Sequence, residues 1–64
     1  MTAQEMFEKF NCYEDEKYIV YRNNRYSITF DKVNKEYWHS EETSITVDEH
    51  QAITQQMKEL GWIE

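Results

Sequence analysis

The sequence predicts one α+β domain, residues 1–64, in which a helix at each end flanks a three-stranded antiparallel β-meander (αβββα). Three observations predict this fold. Segments with helical spacing and capping residues lie near both ends, and two alternating runs surround Asn23-Asn24. Ten of the 64 residues are aromatic, which supplies the apolar area that so small a domain needs. We expect both helices to cover the same face of the sheet and form two layers.

The first predicted helix runs from Thr2 to about Phe10. Thr2 can cap it, and Glu5 stands three residues later, as a capping box requires. Asn11 tolerates the left-handed conformation that ends many helices. A helix this short is unstable alone, so it must pack on the sheet. The residues expected on its buried stripe are Ala3, Met6, Phe7 and Phe10.

Two β-rich runs, Lys17–Arg22 and Arg25–Phe30, follow a predicted linker at Cys12–Glu16. Asn23-Asn24 between the runs predicts a two-residue hairpin turn. That turn would pair Tyr21 with Tyr26 and Ile19 with Ile28. The expected core face comprises Ile19, Tyr21, Tyr26, Ile28 and Phe30.

A second turn at Asp31–Lys35 leads into the third predicted strand, Glu36–Ser40. Asn34 is expected to take the bulge position of this turn. A three-residue loop would place Trp38 on the core face and Tyr37 on the opposite face. A slip of one residue would exchange the two side chains.

The last predicted helix begins after Val47. Asp48 is the expected N-cap, with Gln51 completing a capping box and Val47 packing against Ala52. Gly61 stands where a helix end requires a positive φ. A Schellman motif there would fold Trp62 back on Met57. The expected buried stripe is Ala52, Ile53, Met57 and Leu60.

The charge and cysteine content restrict the classes of partner and compartment. Thirteen acidic and seven basic residues give a formal net charge of −6. This balance opposes non-specific binding to nucleic acid, and it suits either a basic protein partner or simple solubility. The single cysteine, Cys12, excludes an internal disulfide. Together with the lack of a long apolar run, it predicts a cytoplasmic protein without a membrane span.

No residue pattern indicates catalysis, so we expect no enzyme, no cofactor and no metal. One glycine cannot build a phosphate-binding loop. The acidic neighbours of Cys12 should raise the pKa of its thiol. Several residues near the last helix are of types that bind metals, but they lack the spacing of ligands on a helix. They are His39, Glu41, Glu42, Glu49 and His50.

The sheet face turned away from the helices is the strongest candidate for an interaction surface. Tyrosine and arginine are enriched at the energetic centres of protein interfaces. The preference of tyrosine for β-strands is an alternative explanation of the same pattern. The predicted surface comprises Tyr18, Val20, Arg22, Arg25, Thr29, Tyr37 and His39.

Two segments, ITFDKVNKEYW at Ile28–Trp38 and ITVDEHQAITQQMKELGWIE at Ile45–Glu64, carry a family resemblance. They resemble short uncharacterised proteins of phages and prophages in Gram-positive bacteria. The start, AQEMFEKFNCYE, is similar as well, although Asn11 stands where a glycine is expected. The resemblance implies a phage or prophage origin and the cytoplasm of the bacterial host, and it identifies no catalytic residue.

The leading functional hypothesis is therefore an accessory protein that binds another protein. One form of it is inhibition of a host or phage protein, such as a basic, nucleic-acid-binding one, by charge mimicry. A second hypothesis is a nucleic-acid contact module that uses the tyrosines and arginines of the sheet. The net charge opposes it. A third is a self-assembling structural protein, with a homodimer as its simplest form.

Overall fold

The structure is a computed structural model that describes residues 1–40 and 44–64. It shows an α+β chain with one antiparallel sheet of four strands in the order β1-β2-β3-β4. The predicted meander of three strands is thus one strand short. The elements are α1 at Ala3–Met6, β1 at Asn11–Glu14, β2 at Tyr18–Arg22, β3 at Ser27–Asp31, β4 at Glu36–His39 and α2 at Val47–Glu59.

Strand β1 lies where the sequence predicts a linker. It pairs with β2, placing Cys12 opposite Tyr21 and Tyr13 opposite Val20. All four side chains of β1 are exposed, so no alternation of apolar and polar residues marks the strand. Pairing with the otherwise open backbone edge of β2 satisfies its hydrogen-bonding groups instead.

The first predicted hairpin has the right core face and the wrong register. The side-chain oxygen of Asn23 accepts hydrogen bonds from the backbone N–H groups of Arg25 (2.8 Å) and Tyr26 (2.9 Å). The connection therefore has four residues, and Tyr21 pairs with Ile28 rather than with Tyr26. A shift of two positions leaves each side chain on its predicted face.

The second turn exchanges the predicted positions of Tyr37 and Trp38. Phe30 lies opposite Tyr37, so Tyr37 shares the core face and Trp38 lies on the other. The loop between Asp31 and Glu36 has four residues instead of three, which produces the one-residue slip. The positive φ of 57° falls on Lys35.

Asn34, predicted at the bulge position, instead donates its side-chain amide to the Asp31 carboxylate (2.9 Å). That carboxylate also accepts the backbone N–H groups of Val33 and Asn34. Asp31 is buried, and these hydrogen bonds replace the water that it loses.

The capping box of α1 is confirmed, whereas the helix is shorter than predicted. The Glu5 backbone N–H donates to the Thr2 hydroxyl, and the Thr2 N–H donates to the Glu5 carboxylate. Regular helix ends at Met6. Asn11 begins β1 and has no positive φ, so its predicted role as a helix stop is wrong.

The predicted start of α2 is displaced by two residues. The N-cap is Thr46, and Glu49 completes its capping box in place of Asp48 and Gln51. Val47 is 72% exposed and does not belong to the core that contains Ala52, so the predicted packing of Val47 against Ala52 is not observed. Ile45, one residue before the cap, packs against the core instead, because the earlier cap directs that residue inward.

The predicted end of α2 is confirmed. Gly61 has a φ of 76°, and the backbone N–H of Trp62 donates to the carbonyl of Met57 at 2.9 Å. The N–H of Gly61 donates to the carbonyl of Lys58. These two bonds are the pair that defines a Schellman motif.

Both helices pack on the same face of the sheet, here called the inner face. Phe7, which follows α1, stacks on Tyr21 with ring centroids 4.1 Å apart. From α2, buried Gln56 accepts a hydrogen bond from the Tyr21 hydroxyl. The buried apolar core comprises Ala3, Phe7, Ile19, Tyr21, Tyr26, Ile28, Phe30, Ala52 and Ile53.

Candidate interaction surface on the outer sheet face

The face opposite the core, here called the outer face, takes alternate residues from all four strands. Its membership follows from the strand registers and from the alternation of side chains along a strand. Every core side chain of β2 and β3 lies on the other face. The outer face comprises Asn11, Tyr13, Tyr18, Val20, Arg22, Ser27, Thr29, Asp31, Glu36 and Trp38.

Three aromatic side chains from three different strands stand exposed on the outer face. Tyr13 is 62% exposed, Trp38 48% and Tyr18 36%. The rings of Tyr18 and Trp38 meet edge to face with centroids 6.3 Å apart. Val20 and Thr29, in the middle of the sheet, are half-buried between these larger side chains. The result is an aromatic surface spanning the sheet.

A hollow of about 340 Å³ lies on the β1–β2 side of the outer face. Val20 and Tyr13 contribute apolar surface, and Asn11 and Arg22 bring polar groups to its border. Within residues 1–40 and 44–64, the side chains of Asn11, Tyr13 and Arg22 form no hydrogen bond or ion pair with the protein. With respect to the described residues, these polar groups have unused hydrogen-bonding capacity that a ligand can satisfy. The full lining is Asn11, Cys12, Tyr13, Val20 and Arg22.

Charge is distributed unevenly between the two layers. The outer face carries Arg22 near one end of its strands and two acids, Asp31 and Glu36, at the opposite end. The Asp31 carboxylate is already occupied by its turn. The middle of the face holds no charged residue. Much of the acidic charge lies in and beside the helices, at Glu5, Glu8, Asp48, Glu49, Glu59 and Glu64.

The structure brings four of the seven predicted surface residues together on the outer face: Tyr18, Val20, Arg22 and Thr29. Arg25 lies in the β2–β3 turn, where its guanidinium stands 5.8 Å from the ring centroid of Tyr26.

The prediction that Tyr37 and His39 face away from the core is wrong. They lie opposite Phe30 and Ile28, on the inner face. The Tyr37 ring stacks on Phe30 with centroids 5.7 Å apart. The His39 ring approaches Tyr26 edge to face at 6.2 Å. The longer β3–β4 loop is the cause, since a slip of one residue reverses every side chain of β4.

Sequence reasoning missed Tyr13 and Trp38, the two most exposed aromatic residues of the outer face. The predicted three-residue loop places Trp38 on the core face, and the predicted linker at Cys12–Glu16 contains Tyr13. A signal for β1 is present in the sequence, because Asp15, Asn23 and Asp31 recur every eight residues. Each accepts two backbone N–H groups at the start of a hairpin turn. That spacing indicates three equivalent turns and hence four strands.

Cys12 lies on the inner side of β1, at the edge of the sheet. Partial burial raises the pKa of its thiol, and the Glu14 carboxylate raises it further, against a hydrogen bond with Tyr21 that lowers it. The direction agrees with the sequence-based expectation. A thiol with a raised pKa is a poor nucleophile near neutral pH.

A larger hollow of about 420 Å³ lies between α1, the β2–β3 turn and the start of α2. Its lining mixes the cations Lys9 and Arg25 with three acids, Glu8, Asp48 and Glu49. Because side chains of both charge signs line it, no class of ligand is favoured. In the described part of the chain, no group of three or more His, Cys, Asp or Glu could hold a metal ion. Glu41 and Glu42, two of the weighed ligands, fall outside it.

Comparison of the chain with protein-family models, curated proteins and solved structures yields no match. Among the helices of residues 1–40 and 44–64, none is long and apolar enough to cross a membrane. The outer face is therefore interpreted from its own chemistry.

Proposed function

We propose that the protein is a binding module that contacts another protein through its outer sheet face. The observation that supports this is the exposure of Tyr13, Tyr18 and Trp38 on the face that neither helix covers. Exposed aromatic side chains on a rigid sheet offer a large contact area at a low cost in side-chain entropy.

The size of the face suits a modest interface. The protein exposes 4757 Å² and measures 26 × 22 × 18 Å. A standard protein interface covers about 800 Å² on each partner, which is about one sixth of this surface. One broad face of the molecule supplies an area of that order.

The distribution of charge refines the partner. A partner of the outer face need not be basic, because the middle of that face is uncharged. Charge mimicry, which the net charge of −6 suggests, would instead use the acidic helical layer. The phage or prophage resemblance makes a host or phage protein in the bacterial cytoplasm the expected target, with inhibition as one outcome of binding.

The test is affinity capture from bacterial lysate with quantitative mass spectrometry, comparing matched tyrosine and tryptophan variants. Trp38→Ala and Tyr13→Ala alter the outer face. Tyr37→Ala removes an aromatic residue of similar exposure (43%) from the inner side of the same strand as Trp38. We expect a stoichiometric partner with the wild type and Tyr37→Ala, and its loss with Trp38→Ala. Equal capture by all folded variants would contradict the proposal.

A nucleic-acid contact module is a second candidate, because Arg22 stands beside the exposed ring of Tyr13. Single-stranded nucleic acids bind proteins by base stacking on aromatic rings combined with cationic contacts to the backbone. A mobility shift with single-stranded RNA at low salt would support it. Absence of a shift under those conditions would exclude it, since salt only weakens such binding.

A further inference from the structure

We propose that the hollow between Tyr13 and Arg22 receives a partner segment that presents one apolar side chain beside a carboxylate. This inference rests on the proposed function, and it specifies what the outer face recognises. The apolar side chain contacts Val20 and Tyr13, and the carboxylate binds the Arg22 guanidinium.

The apolar half of the site follows from its lining. Val20 is half-buried at the centre of the sheet, and the Tyr13 ring beside it is 62% exposed. Both belong to paired strands, where Tyr13 lies directly opposite Val20. An aliphatic or aromatic side chain seated here would remove apolar surface of both residues from water, which is the main favourable contribution to association.

The charged half of the site is Arg22. Its cross-strand neighbours on the outer face are Asn11 on β1 and Ser27 on β3, and both are neutral. Among the residues that the structure describes, no carboxylate lines the hollow. Arg22 is exposed, and its side chain forms no ion pair with the described residues. A planar guanidinium in this position can bind a carboxylate with two parallel hydrogen bonds.

The net charge of −6 does not remove this local preference. Asp31, the outward acid on β3, lies four residues along the strand from Ser27, the neighbour of Arg22. That separation is about 13 Å at about 3.3 Å per residue. Exposed charges separated by more than about 8 Å are largely screened at physiological ionic strength. Among the outward-facing residues of the four strands, Arg22 is therefore the charge nearest to the hollow.

A carboxylate in a protein segment is favoured over a nucleic acid by the number of cations. Affinity for a nucleic-acid strand requires several phosphate contacts, whereas the hollow has one cation. A single carboxylate next to an apolar side chain uses both halves of the site. The chemistry of the site thus matches a short acidic and apolar protein motif.

The test begins with a random dodecapeptide phage library selected on the immobilised wild-type chain, with counter-selection on Arg22→Gln. We expect the enriched peptides to share an apolar residue within about four residues of Asp or Glu. In the synthetic peptides, Asp→Asn or Glu→Gln should weaken binding about two- to fivefold, as for an exposed ion pair. Arg22→Lys should retain part of the affinity, because it keeps the charge without the planar fork.

Two-dimensional amide NMR of the labelled protein locates the bound peptide and verifies that each variant is folded. Shifts at Asn11, Tyr13, Val20 and Arg22 support the proposal, as does lost binding with Tyr13→Ala. Failure to enrich any peptide overturns it, as do shifts confined to the helices. Tighter binding of a twelve-residue oligouridylate at the same amides overturns it in favour of nucleic acid.

One further outcome separates this inference from the proposed function. Peptides that shift Tyr18 and Trp38, lack acids and bind Arg22→Gln as tightly as the wild type overturn the carboxylate site. They leave protein binding by the outer face intact. Loss of the captured partner in Trp38→Ala without any effect of Arg22→Gln would have the same meaning.

Discussion

Both faces of the sheet carry aromatic side chains, but they differ in how far those side chains are buried. Phe30 on the inner face is fully buried, and its ring meets those of Tyr21, Tyr37 and Trp62. On the outer face, Trp38 meets the ring of Tyr18 and remains about half exposed. Aromatic residues suit β-strands on either face. The helices alone decide which of them stabilise the fold and which remain available for contact.

The comparison predicts the largest loss of stability for Phe30→Ala. Removing a buried phenylalanine costs about 3–5 kcal/mol, which is a large part of the stability of a small domain. Urea unfolding followed by circular dichroism would measure the loss. Trp38→Ala is the matched control on the other face, and an equal loss in both variants would contradict the division between the faces.

A smaller loss is expected when Gln56 is replaced by alanine. The Tyr21 hydroxyl donates to the Gln56 side chain in the core, so Gln56→Ala removes the acceptor of a buried hydroxyl, at about 1–3 kcal/mol. Gln51→Ala, on the exposed side of the same helix, should change the free energy of unfolding little. The double variant Tyr21→Phe/Gln56→Leu removes both polar groups and should recover most of the loss. Failure to recover would show that shape, rather than the hydrogen bond, dominates this site.

Lowering the pH should reduce the stability of the fold, because the Asp31 carboxylate in the β3–β4 turn becomes protonated. Hydrogen bonds from the backbone and side chain of Asn34 hold the pKa of Asp31 below its ordinary value of 3.8. A carboxyl group with a lowered folded pKa contributes stability above its unfolded pKa, and this is lost as pH falls through the folded pKa. Tm should therefore fall below about pH 4, and less steeply in Asp31→Asn. Thermal unfolding between pH 7 and 2 would measure this. An identical fall of Tm with pH in the wild type and in Asp31→Asn would contradict the prediction.

The smallest effect on stability is expected for Trp38→Ala. The side chain is half exposed and its ring contacts Tyr18, so the loss should be below about 1.5 kcal/mol, as for an aromatic pair. The same variant should abolish capture of the partner. A folded Trp38→Ala protein that still binds the partner would show that exposure on this face is incidental.

Much of the architecture follows from local sequence signals. The capping box of Thr2 and Glu5, the positive φ of Gly61 and the bond of Trp62 to Met57 are all present as predicted. These features depend on residues within one helical turn of each other. They can therefore be predicted without knowledge of the rest of the fold.

Apart from the displaced start of α2, the errors in the strands occur where a loop length sets the register or where the tertiary partner supplies the energy. One extra residue in the β3–β4 loop reversed the positions of Tyr37 and Trp38. Strand β1 lacks an apolar pattern because all its side chains are exposed. Its formation depends on the free edge of β2, which no local pattern reports.

The amino-acid sequence by itself determined the α+β class, the start of α1, the end of α2 and the inner-face residues of β2 and β3. The reason is that alternation and capping act between neighbours along the chain. Only the tertiary structure decided the fourth strand and the outward positions of Tyr13 and Trp38. Pairing between strands is fixed by loop geometry and by the burial of one whole face, which are properties of the assembled sheet.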